Sequence, residues 1–181
     1  RRARAAAAAW CASRRCPESG TSSMGTAWLS RIGPYKEGIV LRSRRRTITE
    51  GDFSALINVT WENAPMHTDQ THAESTEYGT RMLGGPCIIA LTAGLSTETL
   101  FLSWALAKLD IVTALGIDTV RYRSPLKPND TIEIEMHIKA LRPSGSRPGT
   151  LVTTLHDRVL ADGDRLIMEM DRSYLLKPMA G

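Results

Sequence analysis

Residues 84–109 read GGPCIIALTAGLSTETLFLSWALAKL, and this apolar run decides the fold of the 181-residue chain. Proline suits the first turn of a helix, so Pro86, with Gly85 as the preceding cap, predicts that a helix begins here. A helix that is apolar almost throughout is typical of the buried centre of a domain. The charge-free part, Met82 to Thr97, has 16 residues. A bilayer needs about 18 to 20, so no transmembrane helix and no membrane partner are expected.

Alternating apolar and polar residues follow this helix, which predicts strands. The strands are expected at Val112–Tyr122, Thr131–Ala140, Thr150–Leu160 and Leu166–Leu176. The elements expected before the helix are a strand over Gly38–Thr49, a helix over Glu50–Ile57 capped by Thr49, an irregular stretch over 58–69 and a short helix over Gln70–Glu77. The pattern predicts an α+β fold, with an antiparallel sheet in meander order wrapped around a long central helix.

The positive charge is concentrated in the first residues of the chain. Of 23 basic and 19 acidic residues, which give a net charge of +4, residues 1–23 contain five arginines and one glutamate. The remaining 18 basic and 18 acidic residues balance. No basic face for nucleic acid is therefore expected on the folded part.

Residues 1–23 form a basic, Ala- and Arg-rich tail, which is expected to be disordered or not part of the mature protein. The composition resembles an organelle transit segment, and translation from Met24 is the favoured alternative. Residues 24–181 are expected to be a single domain. The cytoplasm is the default location.

The three cysteines do not form a metal-binding pattern. Cys11 and Cys16 lie in the tail without a second pair of ligands at suitable spacing, so no zinc site is expected. Cys87 lies in the apolar run. A buried thiol in a reducing compartment is the simplest interpretation, and a nucleophile is the alternative.

Polar residues that packing does not explain cluster in TWENAPMHTD, residues 60–69. Glu62 and His67 are five residues apart, and Pro65 keeps the chain between them out of a continuous helix, so both side chains can face one cleft. A carboxylate and an imidazole can hold a water molecule, take a proton from it and deliver another. The alternative is that both are ordinary surface or capping residues.

Gly84-Gly85-Pro86 offers a second chemical feature at the start of the central helix. The Gly85 N–H lies at the positive end of the helix dipole, with no Cβ to obstruct a ligand. Such a donor can stabilise an oxyanion, a contribution of about 3 kcal/mol in acyl chemistry. The alternative is that the two glycines only permit close packing of the helix on the sheet.

From about Thr47 onward the order of these motifs resembles the MaoC-like dehydratases and R-specific enoyl-CoA hydratases, which have the hotdog fold. The loop of that family reads Asp-x-Asn-Pro-hydrophobic-His, and ENAPMH at residues 62–67 matches it, with Glu62 and Ala64 in place of the aspartate and the asparagine. The family's oxyanion glycine falls on Gly85. Its aromatic-x-x-Pro-hydrophobic-x-x-Gly-Asp turn falls on YRSPLKPND, residues 122–130.

The resemblance implies a lyase of fatty acid metabolism that reversibly hydrates a 2-enoyl-CoA to a 3-hydroxyacyl-CoA. The implied catalytic residues are Glu62, His67 and Gly85, and the implied substrate-binding residues are Pro65, Gly84 and Pro86. No metal or redox cofactor is expected, because the thioester acidifies C2 and coenzyme A is part of the substrate. A homodimer or a dimer-based oligomer is implied.

Two other functions remain open. A hotdog thioesterase would hydrolyse the thioester, although the spacing of Glu62 and His67 resembles the hydratase motif. A catalytically weak subunit could instead bind acyl thioesters or support an active partner. Glu62 and Ala64, together with Ala93 in place of a serine that some members have, are the basis for this second alternative.

Several residues have less certain roles. Candidates for binding the coenzyme A phosphates, each also explained as a solvated face, are Arg121, Arg123 and the arginines at 44–46. Trp61, Met82 and Trp104 are either pocket or core residues. Surface or packing roles are expected for His72, His137 and His156.

Overall fold

A long helix packs against one face of an antiparallel sheet in the computed structural model, which describes residues 35–179. The tail predicted at residues 1–23 lies outside this range. The elements in chain order are β1 (Val40–Arg42), β2 (Arg46–Thr47), α1 (Glu50–Thr60), α2 (Pro65–Thr68), α3 (Gln70–Glu74), α4 (Gly85–Leu106), β3 (Leu109–Tyr122), β4 (Thr131–Pro143), β5 (Leu151–Ala161) and β6 (Arg165–Pro178). The predicted architecture, a sheet around a central helix, is confirmed.

The strand order is β1-β4-β5-β6-β3, with β2 also paired to β4 and all pairs antiparallel. The predicted meander is wrong at one connection, because β3 pairs with β6 and not with β4. After β3 the backbone of Arg123 bonds to Ile167 of β6 at 2.8 Å, and Leu126 then accepts from Leu83 at 2.8 Å. The segment between β3 and β4 thus passes the start of α4 on its way to the other side of the sheet. A period of two identifies strands but not their neighbours.

The strand predicted over 38–49 is divided into β1 and β2. Between them Ser43 is fully buried, and its hydroxyl accepts a hydrogen bond from Ile134 N at 2.9 Å. The Ser43 N–H donates to Ile134 O at 3.0 Å. The Ser43 side chain therefore takes the place of a backbone acceptor in the hydrogen bonding between the strands. The strand, which was predicted to be continuous, is interrupted at this residue.

The predicted cap of α1 is confirmed. Thr49 Oγ1 accepts from Asp52 N at 3.2 Å, and the Asp52 carboxylate accepts from Thr49 N at 3.1 Å, so both ends of a capping box are present. The helix continues to Thr60, beyond its predicted end. The expected irregular stretch also contains the single turn Pro65–Thr68, which proline at the first helical position favours.

The central helix begins one residue earlier than predicted, because Gly84 is its cap and Gly85 its first residue. At 22 residues α4 is long and apolar enough to cross a membrane by those two criteria, so the length argument against a span does not hold. Its inner face, which includes Cys87, Ile88 and Trp104, is instead buried in the core of the domain. This packing is that of a core helix.

Candidate active site

The end of α1 places Glu62 beside the start of α4. Trp61 adopts a left-handed conformation with φ 59° and ends the helix. The chain then turns so that the half-buried Glu62 carboxylate lies against Gly84, and a methyl group added at Gly84 would overlap it. Because Gly84 caps a 22-residue helix, the carboxylate lies near the positive end of the helix dipole.

Cys87 contacts the same carboxylate from the first turn of α4. Its Sγ donates to Glu62 Oε2 at 3.4 Å and lies 3.3 Å from Thr60 Oγ1. Burial raises the pKa of the Cys87 thiol; the hydrogen bond with Thr60 opposes this, and the Glu62 carboxylate adds to the rise. A fully buried thiol with a raised pKa stays protonated, which argues against the nucleophile alternative and agrees with the predicted buried thiol.

His67 is oriented by a backbone carbonyl. Its Nδ1 lies 2.7 Å from Met82 O, which can only accept, so Nδ1 carries the hydrogen in the neutral ring. Nε2 is then left as the basic nitrogen. Asp69, two residues after His67, caps α3 by accepting a hydrogen bond from His72 N at 3.0 Å.

A cavity of about 300 Å³ brings several predicted residues together. Its lining consists of His67, Tyr78, Met82, Leu83, Gly84, Gly85, Ile88, Tyr122, Arg123, Ser124 and Pro125. Glu62 does not belong to this lining, but its carboxylate lies against Gly84, which does. The two prolines predicted to bind substrate do not belong to this lining: Pro65 is the first residue of α2, and Pro86 is the second residue of α4.

Tyr122 is a cavity residue that the sequence analysis did not single out. Its hydroxyl and ring edge lie against Gly85, where an added methyl group would overlap them. As the first residue of α4, Gly85 has an N–H without an acceptor inside the helix. In the sequence, Tyr122 is marked only as the aromatic residue of the turn motif at 122–130. The direction in which its side chain points depends on how β3 packs.

The less certain predictions are distributed as follows. Met82 lines the cavity, whereas Trp104 is a core residue and Trp61 is 81% exposed. Arg123 also lines the cavity, and its guanidinium pairs with Glu169.

The remaining polar candidates lie elsewhere. Arg121 is exposed and bonds to Val120 O at 2.9 Å. His137 and His156 face each other across β4 and β5, with ring centroids 6.2 Å apart, away from the cavity lining.

A second, apolar groove of about 530 Å³ separates α1 from α4. Its walls include Leu56, Val59, Leu91 and Leu95, and its floor includes Ile132. Arg46, one of the candidates for the coenzyme A phosphates, lines this groove, but none of the predicted catalytic residues does. The smaller cavity, which His67 and Gly85 line, is therefore the candidate active site.

Comparison with known proteins gives two curated relatives. Protein MaoC of Klebsiella aerogenes is 24% identical over 132 residues, which are 65% of this chain and 37% of that protein. The chain thus spans little more than a third of that relative. A 3-hydroxybutyryl-CoA dehydratase of Methylorubrum extorquens is 26% identical over 125 residues, 68% of this chain and 74% of that protein.

Solved structures share the fold. A monoamine oxidase regulatory protein from Archaeoglobus fulgidus has a TM-score of 0.70 and 22% identity, over 80% of this chain and 92% of that one. The (R)-hydratase of A. caviae, involved in PHA biosynthesis, has a TM-score of 0.57 and 20% identity, over 79% and 96%. Residues 36–158 match the family model described as the MaoC like domain. The chain therefore has the hotdog fold and belongs to the MaoC-like dehydratase family.

Proposed function

We propose that this protein reversibly hydrates a 2-enoyl thioester to a 3-hydroxyacyl thioester. One observation carries the proposal: His67 and Gly85 line the same cavity, and the Glu62 carboxylate lies against Gly84, the residue that caps α4 next to Gly85. A base, an acid and an oxyanion donor at one cavity are what addition of water to a conjugated thioester requires.

In the hydration direction, Glu62 and His67 hold a water molecule beside C3 of the substrate. His67 Nε2 is the basic nitrogen, since Nδ1 is bonded to Met82 O. As the water oxygen bonds to C3, one of its protons passes to the Glu62–His67 pair and the C2=C3 π electrons move towards the thioester oxygen. The Gly85 N–H stabilises that oxygen. The pair then delivers a proton to C2, which regenerates the thioester carbonyl.

The proposed reaction uses no metal or redox cofactor, because the thioester itself makes the C2 proton acidic. Coenzyme A is proposed as the thiol of the substrate, as in the name of the Methylorubrum relative. The cytoplasm, where acyl-CoA is available, is the proposed location.

The test is the absorbance of crotonyl-CoA mixed with the full chain, with free thiol followed in parallel. Loss of the conjugated thioester absorbance without thiol release is expected for the wild type. His67→Ala and Glu62→Gln should each lower kcat by at least about 100-fold, since each removes a proton-transfer group. His72→Ala is the matched control, because this exposed histidine belongs to α3 and does not line the cavity.

Release of free thiol by the wild type would instead identify a thioesterase. If neither signal changes with crotonyl-CoA or with branched and dicarboxylic enoyl-CoA substrates, hydration by this chain alone is contradicted.

A second candidate is a subunit that supports an active hotdog partner. Similar structures include two complexes, the 3R-hydroxyacyl-ACP dehydratase HadBC and ChsH1-ChsH2, both from Mycobacterium tuberculosis. The presence of Glu62 and Ala64 in the family motif is the feature of this chain that favours the candidate. Copurification of a second hotdog chain that restores activity would distinguish it from the self-sufficient enzyme.

A further inference from the structure

The two glycines at the start of α4 each make room for one side chain. The Glu62 carboxylate occupies the space beside Gly84, and the Tyr122 phenol occupies the space beside Gly85. A carboxylate and a phenol therefore flank consecutive backbone positions. Tyr122 comes from the end of β3, so this arrangement depends on the packing of β3 near the N-terminus of α4.

The Tyr122 hydroxyl is available as a donor. Within residues 35–179 it makes no hydrogen bond to another side chain or to the backbone. Burial raises the pKa of Tyr122 above its ordinary value, and the nearby Glu62 carboxylate raises it further. The phenol consequently keeps its proton at neutral pH and can donate it in a hydrogen bond.

Its neighbours on the same wall are already engaged. Ser124 Oγ donates to Leu166 O at 2.6 Å, and the guanidinium of Arg123 pairs with Glu169. The Tyr122 hydroxyl is thus the polar group of this wall that lies beside Gly85, and it has no acceptor within the described residues.

We propose that Tyr122 Oη donates a second hydrogen bond to the thioester oxygen, beside the bond from Gly85 N–H. The inference rests on the proposed function, since it assigns a residue to the same cavity. Two donors that converge on one oxygen form an oxyanion hole, and the Tyr122 bond strengthens as negative charge develops on that oxygen. Tyr122 is thereby a catalytic residue in contact with the substrate.

Two readouts on the full chain test this role. The first is the kinetics of crotonyl-CoA hydration by Tyr122→Phe, for which kcat should fall about 100-fold, the usual effect of losing one oxyanion donor. The second is the infrared frequency of the thioester carbonyl in bound butyryl-CoA, labelled with carbon-13 at that position. Butyryl-CoA has no double bond to hydrate, so this measurement does not depend on turnover.

The wild type should lower the carbonyl frequency relative to free butyryl-CoA, and Tyr122→Phe should return it part of the way. Phenylalanine keeps the ring, and the hydroxyl has no protein partner to lose, so the variant should fold. Thr113→Val, which removes a hydroxyl from the same strand outside the cavity lining, is the control for both readouts.

The outcomes separate this proposal from the proposed function. An altered carbonyl frequency in Tyr122→Phe without hydration by the wild type would support the hydrogen bond and contradict the hydratase. The same frequency in both proteins would overturn the role of Tyr122, even where hydration is observed, and so would a wild type that leaves the frequency of butyryl-CoA unchanged. If Tyr122→Phe lowered kcat but left the carbonyl frequency unchanged, Tyr122 would act through the Glu62 carboxylate and not on the thioester oxygen. This outcome also overturns the proposal.

Discussion

Gly84 and Gly85 are needed for the space they leave and not for an unusual backbone. Gly84 has φ −66° and ψ 151°, a conformation open to any residue, and Gly85 begins a helix. Gly84→Ala should therefore fold but displace the Glu62 carboxylate, and Gly85→Ala should displace the Tyr122 ring. A shift of about 1 Å in a reacting group can cost about 100-fold, so kcat for crotonyl-CoA should fall by that order in each variant.

The matched control for both is Gly51→Ala. Gly51 lies in α1, where an added methyl group would make only an ordinary contact with Thr49 Oγ1 at 3.8 Å. Alanine is favoured over glycine in a helix by up to about 1 kcal/mol, so this variant should be more stable and fully active. Full activity of Gly84→Ala would show that the Glu62 position described here is not the reactive one.

The Cys87 thiol gives a residue-scale prediction about pH. Burial and Glu62 raise its pKa in the folded state, so the folded protein holds this proton more tightly than the unfolded chain does. The thiol contributes its full share to the free energy of unfolding below its pKa in the unfolded chain, which is about 8.5. This contribution is lost as the pH rises towards the higher pKa of the thiol in the folded protein. Urea unfolding between pH 8 and 10 should show this loss, and Cys87→Ala should reduce it.

A thiol reagent provides an independent check of the same thiol. With Cys11→Ser and Cys16→Ser in the chain, Cys87 should resist the reagent DTNB at pH 8 and react once the chain is unfolded in urea. Rapid reaction of the folded protein would contradict its burial.

At the scale of elements, a buried ion pair joins the sheet to α4. Arg172 of β6 pairs with Asp157 of β5, and its guanidinium also donates to Ser96 Oγ of α4 at 2.8 Å. Both charged side chains are almost fully buried. Removing one member of such a pair leaves an uncompensated charge, which costs about 3 to 5 kcal/mol.

Arg172→Met should accordingly lower the free energy of urea unfolding by that amount. Adding Asp157→Leu should restore most of the loss, because the remaining charge is then removed as well. Arg44→Met is the control, since Arg44 and Glu98 form a pair at 3.1 Å with both side chains more than half exposed. Arg44→Met should lower the free energy of unfolding by less than about 1 kcal/mol. If Arg172→Met lowered it no more than Arg44→Met does, the buried-pair argument would be refuted.

On the scale of the whole molecule, the outer edge of β3 is a candidate surface for association. Among the described strands it pairs only with β6, which leaves its other edge free. Leu115 and Ile117 on this strand are 51% and 47% exposed. An unpaired edge with exposed apolar side chains is a template for pairing with another strand. We expect two copies of the chain to associate along β3.

Light scattering after size-exclusion chromatography tests this expectation. The wild type should have the mass of a dimer, and Ile117→Lys should shift it to a monomer because a charge is placed on the shared edge. Thr97→Lys, on the exposed side of α4, should leave the dimer intact. A monomeric wild type would contradict the homodimer and favour a different partner chain.

Local patterns predicted most elements and part of the site. The central helix, the Thr49 cap and the later strands follow from proline, glycine and the apolar period, which act over a few residues. Glu62, His67 and Gly85 were selected from one short loop and one helix start. The division of the first strand at Ser43 was not predictable, because it depends on a hydrogen bond to Ile134, far away in the chain.

The sequence by itself determined most of the helices and strands, the hotdog architecture through its family resemblance, and the position of the candidate loop before the central helix. Only the tertiary structure decided that β3 lies beside β6, that Met82 fixes the tautomer of His67, and that Tyr122 meets Gly85. The physical reason is that backbone propensities are local. Contacts between distant residues depend instead on how whole helices and strands pack together. The same local pattern is compatible with more than one such packing.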